Sequence, residues 1–177
     1  MKALLIVDLQ NDFCPGGKLA VPEGGKVVPV INQLLDKFPL VLASQDWHPV
    51  KTVHFDKWPV HCVRESEGAK LHPDLKRKKI TKVFLKGTDN KDDGYSVFEA
   101  TNDDLEGFLR GNNVEELYLT GLATEYCVKA TAMDAVEKGF KVFVIREGVA
   151  GIKEEDVEKA VKEMESKGIN YVNYSSI

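Results

Sequence analysis

Short apolar runs alternate with amphipathic stretches along this 177-residue chain, and the alternation constrains its fold more than any other feature. The candidate strands are Ala3–Val7, Leu40–Ala43, Val83–Leu85, Glu116–Thr120, Lys141–Ile145 and Asn170–Tyr174. Strands that are apolar nearly throughout and are separated by helices are typical of a parallel sheet with both faces covered. The pattern therefore predicts one α/β domain over residues 1–177, a three-layer sandwich of about six strands with helices on both faces.

Four stripes of apolar residues at the i, i+3, i+4, i+7 spacing predict helices between these strands. The stripes are Val27–Phe38, Leu105–Leu109, Val128–Val136 and Val157–Met164. Glycine follows the last three stripes, at Gly111, Gly139 and Gly168. Since glycine just past a helix end is a common stop signal, these positions indicate where the helices end.

Composition and charge argue against several classes of protein. Hydrophobic residues make up 43% of the chain and charged residues 29%, which is typical of a folded domain. The formal charge is −4 and the basic residues lie among acidic ones, which argues against a nucleic-acid partner. No apolar run approaches the ~20 residues of a membrane span. Because Cys14, Cys62 and Cys127 are an odd number without paired spacing, we expect no disulfide framework and a cytoplasmic location.

Reactive side chains follow four of the candidate strands. Asp8 ends the first strand, Asp46 and His48 follow the second, Lys86 ends the third, and Cys127 lies just past the fourth. In open α/β sheets, ligands bind beyond the carboxyl ends of the strands. The sequence therefore predicts that an acid, metal-type ligands, a cation and a thiol meet at one edge of the sheet.

Cys127 ends the stretch Gly121–Cys127, where a helix follows the strand. A thiol in the first helical turn feels the positive end of the helix dipole, which favours the thiolate, and free N–H groups there can hold an oxyanion. From position alone, a small buried core cysteine is the alternative, and Asp8 could instead cap a helix or pair with a lysine. Cys127, Asp8 and Lys86 together favour catalysis. Lys86 would stabilise the thiolate and the carboxylate, and Asp8 would move the proton.

A candidate metal site lies in the region between the second and third strands, which lacks the strand–helix alternation. All four histidines of the chain lie there, and Asp46, His48, His54 and His61 are the candidate ligands. Two histidines and one aspartate suit zinc, iron or manganese and leave positions open for water or substrate. His72, which precedes Pro73, is interpreted as structural.

Five aromatic residues in loops or near strand ends could form a pocket for a flat ring, although ordinary packing is the alternative. They are Phe13, Trp47, Trp58, Tyr95 and Tyr126.

Together these segments resemble the nicotinamidase/pyrazinamidase branch of the isochorismatase-like hydrolases. The matching stretches, in family order, are Val7–Gly17, Ser44–Pro49, Trp58–Val63, Lys86–Thr88 and Gly121–Val128. The resemblance implies a Rossmann-like sheet of strand order 3-2-1-4-5-6, with Asp8 beside Cys127. It also implies a catalytic triad of Asp8, Lys86 and Cys127, an oxyanion hole made by the N–H groups of Ala123 and Cys127, and a cis peptide between Leu122 and Ala123.

The resemblance further implies one divalent metal ion, zinc first, with iron and manganese as alternatives. Asp46, His48 and His61 match the metal ligands of the family, and His54 matches a fourth ligand that only some members have. The residues that match the substrate pocket are Phe13, Trp58, Tyr95, Ala123 and Tyr126. The implied reaction is hydrolysis of nicotinamide to nicotinate and ammonia through a cysteine thioester, with the metal anchoring the pyridine nitrogen. Pyrazinamide is an expected second substrate.

The chain departs from the family pattern in two places. The run from His54 to Trp58 is shorter than in the family, which leaves the role of His54 and the shape of the pocket lid open, and Glu125 replaces a common aspartate. Hydrolysis of a small aliphatic or carbamoyl amide is the nearest alternative activity, and a non-catalytic metal- or ligand-binding protein is an alternative of another class. A homo-oligomer is left open. No Gly-x-Gly-x-x-Gly follows the first strand, which argues against a dinucleotide-binding oxidoreductase.

Overall fold

Six parallel strands form one sheet in the order β3-β2-β1-β4-β5-β6 in the computed structural model, which describes all of residues 1–177. The strands are β1 Lys2–Val7, β2 Leu40–Asp46, β3 Lys82–Lys86, β4 Glu116–Leu122, β5 Lys141–Ala150 and β6 Asn170–Val172. The predicted strand number, direction and order are all confirmed. Because β1 pairs with both β2 and β4, the chain reverses its strand order beside β1, which is where α/β sheets bind ligands.

Five α-helices connect the strands. They are α1 Val27–Leu34, α2 His54–Lys57, α3 Leu105–Gly111, α4 Lys129–Glu137 and α5 Glu154–Ser166. The four predicted helices are present, whereas α2 was not predicted, because its single turn is too short for a repeating stripe. The stretch Thr124–Val128, which leads into α4, is a π-helical turn instead of the predicted α-helical start. No helix has both the length and the apolar character needed to cross a membrane.

The central strand β1 supplies the core on both faces of the sheet. Ala3, Leu5 and Val7 pack in one cluster of 22 buried residues, and Leu4 and Ile6 pack in a second cluster of the same size. All five are fully buried. The alternation of side chains along a strand therefore places apolar residues on both faces, as the continuous apolar run predicts.

Four strands, β2 to β5, extend beyond their predicted ends, and β2 and β5 extend furthest. The strand β2 continues to Asp46, so this aspartate is the last residue of the strand and does not follow it. The strand β5 continues to Ala150, past the exposed residues Arg146 and Glu147 that interrupt its apolar run. Its pairing with β4 shifts register between Leu119 and Gly121, and this irregularity is invisible in an apolar pattern. The strand β6 ends two residues before the predicted limit, and Tyr174 begins a 3-10 turn.

Candidate active site and metal centre

The carboxyl ends of β1, β2, β3 and β4 deliver the predicted site residues to one edge of the sheet. Asp8 directly follows β1, Asp46 ends β2, Lys86 ends β3, and Cys127 lies in the π-helical turn after β4. All four side chains are buried. The structure therefore brings together the acid, cation and thiol that the sequence places at separate strand ends.

Lys86 is the centre of this cluster. Its Nζ atom lies 2.7 Å from Asp8 Oδ2, 2.5 Å from Asp46 Oδ1 and 3.4 Å from Cys127 Sγ. Nζ also donates a hydrogen bond of 2.6 Å to the carbonyl oxygen of Gly94. Burial alone would lower the pKa of Lys86, but the attraction of Asp46 and Asp8 outweighs it and raises that pKa well above its usual value. The side chain is therefore a fixed cation.

The two carboxylates beside Lys86 differ in proton affinity. Burial raises the pKa of Asp8 above its usual value, although Lys86 opposes this shift. Burial acts in the same direction on Asp46, but Lys86, His48 and His61 outweigh it and hold the pKa of Asp46 well below its usual value. Asp46 is therefore the permanent anion, and Asp8 is the carboxylate suited to take and return a proton.

Burial raises the pKa of the Cys127 thiol well above its usual value, and Lys86 opposes the shift without overcoming it. The expectation that the helix dipole would favour the thiolate is therefore wrong in its net sign, because desolvation of the sulfur dominates. Cys127 Sγ and a carboxylate oxygen of Asp8 and of Asp46 all lie within 4.8 Å of one another. Asp8 also accepts a hydrogen bond of 2.7 Å from Ser44 Oγ, which fixes its orientation. The arrangement suits a thiol that loses its proton to a neighbouring base as it attacks.

Three histidines converge beside Asp46. A ring nitrogen of each of His48, His54 and His61 lies within 4.8 Å of the others, and all three side chains are buried. Asp46 Oδ2 lies 3.4 Å from His48 Nε2 and 3.8 Å from His61 Nε2. The structure thus brings His54 into the cluster, where the short loop of the sequence had left its role open.

Each of these histidines is held through Nδ1. The Nδ1 atom lies 2.8 Å from the Gly87 carbonyl oxygen in His48, 2.6 Å from the Pro59 carbonyl oxygen in His61, and 2.9 Å from Asp92 Oδ1 in His54. Because carbonyl and carboxylate oxygens only accept, each Nδ1 carries the proton and each Nε2 keeps a free lone pair. His48 Nε2 is buried without any hydrogen-bond partner. A buried, unpartnered lone pair next to an ionised carboxylate fits a divalent metal ion.

An aromatic pocket opens onto Cys127 and the histidine cluster. The space between its walls, including the part open to solvent, is about 440 Å³. All five predicted pocket residues line it, namely Phe13, Trp58, Tyr95, Ala123 and Tyr126. Trp47 does not line the pocket. It packs against the buried cluster that contains Leu4 and Ile6 of β1. Leu19, Val21 and Ile152 line the pocket too, and no sequence pattern marks these loop residues as pocket residues.

The turn before Cys127 has a free backbone N–H group, that of Ala123. The peptide between Leu122 and Ala123 is cis, as the resemblance implies. The carbonyl oxygen of Ala123 accepts from the N–H groups of Tyr126 and Val128, at 3.1 and 3.2 Å, whereas the Ala123 N–H makes no hydrogen bond within the chain. This free N–H lies in a residue that lines the pocket next to Cys127, so the turn has the character of an oxyanion site.

The sequence profile of the isochorismatase domain matches residues 2–173. This chain belongs to the isochorismatase family. A nicotinamidase of Escherichia coli (strain K12) is 43% identical over 196 residues, which cover 94% of this chain and 92% of that protein.

Solved structures of the isochorismatase fold agree closely with this one. The crystal structure of a pyrazinamidase of Pyrococcus horikoshii in complex with zinc is 44% identical, with a TM-score of 0.89 over 97% of this chain and 98% of that chain. A protein from L. infantum in complex with nicotinate is 33% identical, with a TM-score of 0.94 over 99% of this chain and 94% of that chain. The predicted family is therefore confirmed.

Proposed function

We propose that this protein is a nicotinamidase that hydrolyses nicotinamide to nicotinate and ammonia, with Cys127 as the nucleophile. One observation carries the proposal: the Cys127 thiol lies beside a buried lysine and aspartate in an aromatic pocket that is also lined by Asp46 and by two of the three clustered histidines. The similar proteins named as nicotinamidase and pyrazinamidase support it, as does the nicotinate-bound structure. Pyrazinamide, which is also a flat heteroaromatic amide, is a second expected substrate.

The pocket walls orient the substrate ring. Phe13, Trp58 and Tyr126 flank a flat aromatic ring, and the ring of Trp58 already packs edge-on against Tyr126 at 5.0 Å between centroids. This placement directs the carboxamide carbon toward Cys127 Sγ. Holding the reacting atoms in register removes much of the entropic cost of a bimolecular step.

Asp8 moves the protons of both half-reactions. As the sulfur of Cys127 bonds to the carboxamide carbon, its proton passes to Asp8, and the N–H groups of Ala123 and Cys127 hold the oxyanion. When the tetrahedral adduct collapses, the carbon–nitrogen bond breaks and ammonia leaves with the proton from Asp8. Asp8 then takes a proton from water, the hydroxide adds to the thioester carbon, and the carbon–sulfur bond breaks as the thiolate regains the proton. Lys86 holds Asp8 and Cys127 together throughout.

Asp46, His48, His54 and His61 would hold one divalent metal ion, for which zinc is the first candidate and iron and manganese the alternatives. When bound, this ion would supply a Lewis-acidic anchor for the pyridine nitrogen, directly or through water.

Ammonia release from a panel of amides tests the substrate class. Purified protein with measured metal content is incubated with nicotinamide, pyrazinamide, benzamide and an aliphatic carbamoyl amide. We expect release from nicotinamide and pyrazinamide, slower release from benzamide, which lacks the ring nitrogen, and none from the aliphatic amide. Release from the aliphatic amide alone would replace the proposal with an aliphatic amide hydrolase. Metal-loaded protein that releases no ammonia from any of them would favour a binding protein.

A further inference from the structure

The loop from Asp89 to Tyr95 lies against the segment from Thr52 to Trp58, which contains α2. Hydrogen bonds join the two along their length: Thr52 Oγ1 to the Asp89 carbonyl at 3.5 Å, the Val53 N–H to Asn90 Oδ1 at 2.8 Å, and Trp58 Nε1 to Tyr95 Oη at 3.0 Å. The segment carries both a candidate metal ligand, His54, and a pocket wall, Trp58. The loop is therefore placed to fix the positions of both His54 and Trp58.

Asp92 lies at the centre of this contact. Its Oδ1 atom accepts hydrogen bonds from His54 Nδ1 at 2.9 Å and from Tyr95 Oη at 2.6 Å, and its Oδ2 atom lies 3.6 Å from Lys57 Nζ. Tyr95 Oη in turn accepts from Trp58 Nε1. One carboxylate oxygen thus connects the histidine cluster to the indole that lines the pocket.

The direction of these hydrogen bonds is fixed. A carboxylate oxygen has no proton to donate, so Asp92 Oδ1 accepts from both Tyr95 Oη and His54 Nδ1. Burial, assisted by Asp92, raises the pKa of Tyr95 to about 12, so its hydroxyl stays a donor to the carboxylate. His54 therefore keeps its proton on Nδ1 and turns Nε2 toward the other histidines, as a metal ligand requires.

We propose that Asp92 is a positioning residue that holds His54 as a metal ligand and, through Tyr95, fixes Trp58 in the substrate pocket. This inference rests on the metal centre and the pocket of the proposed function. It predicts that removing one exposed carboxylate weakens metal binding and, by a separate route through Tyr95, weakens substrate binding.

The neighbouring residue Asp93 is a matched control. It carries the same charge in the same loop, but it makes no hydrogen bond and no ion pair, and its Oδ1 atom has no partner. Replacing Asp93 by alanine changes the loop's charge and composition as much as replacing Asp92 does. A difference between the two variants therefore reports the contacts of Asp92.

Zinc affinity, measured without substrate, tests whether Asp92 holds His54 as a metal ligand. Metal-free protein is titrated with zinc in competition with a chromophoric chelator. Asp92→Ala should bind zinc ~10–100-fold more weakly than wild type, and Asp92→Asn should lose less, because an amide oxygen still accepts from His54. Asp93→Ala and Tyr95→Phe should keep wild-type affinity. Equal affinities in Asp92→Ala and Asp93→Ala would overturn the role of Asp92, and a wild-type protein that bound no zinc would overturn the metal centre with it.

Steady-state kinetics at saturating zinc test the connection from Asp92 through Tyr95 to Trp58. Tyr95→Phe removes the acceptor of Trp58 Nε1, and Asp92→Ala removes the carboxylate that holds this acceptor in place. Both variants should therefore raise the KM for nicotinamide more than they change kcat. Asp93→Ala should keep the wild-type KM. A wild-type KM in Tyr95→Phe would overturn the connection to Trp58, and the zinc titration, which needs no substrate, separates this result from failure of the proposed reaction. Thermal unfolding of the metal-free variants checks that all retain the fold.

Discussion

At the residue scale, Lys86 contacts two carboxylates whose chemical roles differ. Asp46 directs Oδ1 to Lys86 and Oδ2 toward His48, and Lys86 is the main cause that holds its pKa well below the usual value. Asp8 contacts Lys86 and Ser44 and lies beside Cys127, and burial raises its pKa. This difference supports the proposed roles, in which Asp8 transfers protons and Asp46 binds metal, since like carboxylates in one site are driven to different pKa values.

Replacing each carboxylate by its amide separates these roles. Asp8→Asn should lower kcat by ~10²–10⁴-fold, the usual contribution of a general acid–base group, with metal content retained. Asp46→Asn should lose metal. Metal analysis and kcat for nicotinamide on the same preparations check both variants. The division of roles would be wrong if Asp46→Asn kept its metal or if Asp8→Asn turned over at the wild-type rate.

Alkylation of Cys127 should show the pKa shift directly. Because the thiol pKa is raised, the thiolate is a minor species at neutral pH, and the rate of reaction with iodoacetamide should climb about tenfold per pH unit from about pH 6 to 8. Burial also raises the pKa of Cys62, and that of Cys14 to about 11, and neither residue lines the pocket. Peptide mapping should therefore find label on Cys127 alone, with nicotinate slowing it. An alkylation rate that levels off below pH 7 would show that Cys127 is already a stable thiolate at neutral pH, and would contradict the raised thiol pKa.

At the scale of secondary-structure elements, function depends on where the elements end. Strand ends present Asp8, Asp46 and Lys86, and the π-helical turn after β4 presents Cys127. The loop after β3 then crosses back over this edge, so that the Gly94 carbonyl oxygen accepts from Lys86. A parallel sheet thus gathers at one edge residues that are distant in sequence.

Gly94 is required for this crossing. Its φ is +78°, which side-chain-bearing residues rarely adopt, and a Cβ atom would lie 2.4 Å from the Gly87 nitrogen. Gly94→Ala should therefore destabilise the fold by more than ~1 kcal/mol and lower kcat by displacing Lys86. Gly111→Ala, in α3 with open space around it, should be neutral or stabilising by up to ~1 kcal/mol. Urea unfolding of both variants measures the change in the free energy of unfolding. Equal changes in Gly94→Ala and Gly111→Ala would contradict the requirement for glycine at position 94.

The sequence predicts strand-end residues well and loop contacts poorly. Asp8, Lys86 and Cys127 follow apolar runs, so strand position alone indicates that they meet. Asp92 has no such signal, because it lies among other acidic residues in a loop and acquires its partners only when α2 packs against that loop. Likewise, the extension of β5 past Arg146 depends on pairing with β4, and no local pattern records that pairing.

At the scale of the whole molecule, the residues that stabilise the fold and the candidate site residues lie in different parts of the sheet. Two apolar clusters of equal size pack against its faces and contain the interior of β1. The polar groups lie at the carboxyl edge, where they are buried but paired with one another. Variants that keep the size of a site residue, such as Asp8→Asn, should therefore change activity or metal content while the two apolar clusters hold the fold.

The most direct test of the account measures ammonia and nicotinate formation by wild type and Cys127→Ala, with nicotinamide binding measured on the same samples. The account predicts equimolar ammonia and nicotinate from the wild type. It predicts no product from Cys127→Ala, which should still bind nicotinamide because the aromatic walls and the histidine cluster are intact. Appreciable hydrolysis by Cys127→Ala would contradict the central claim that this thiol is the nucleophile.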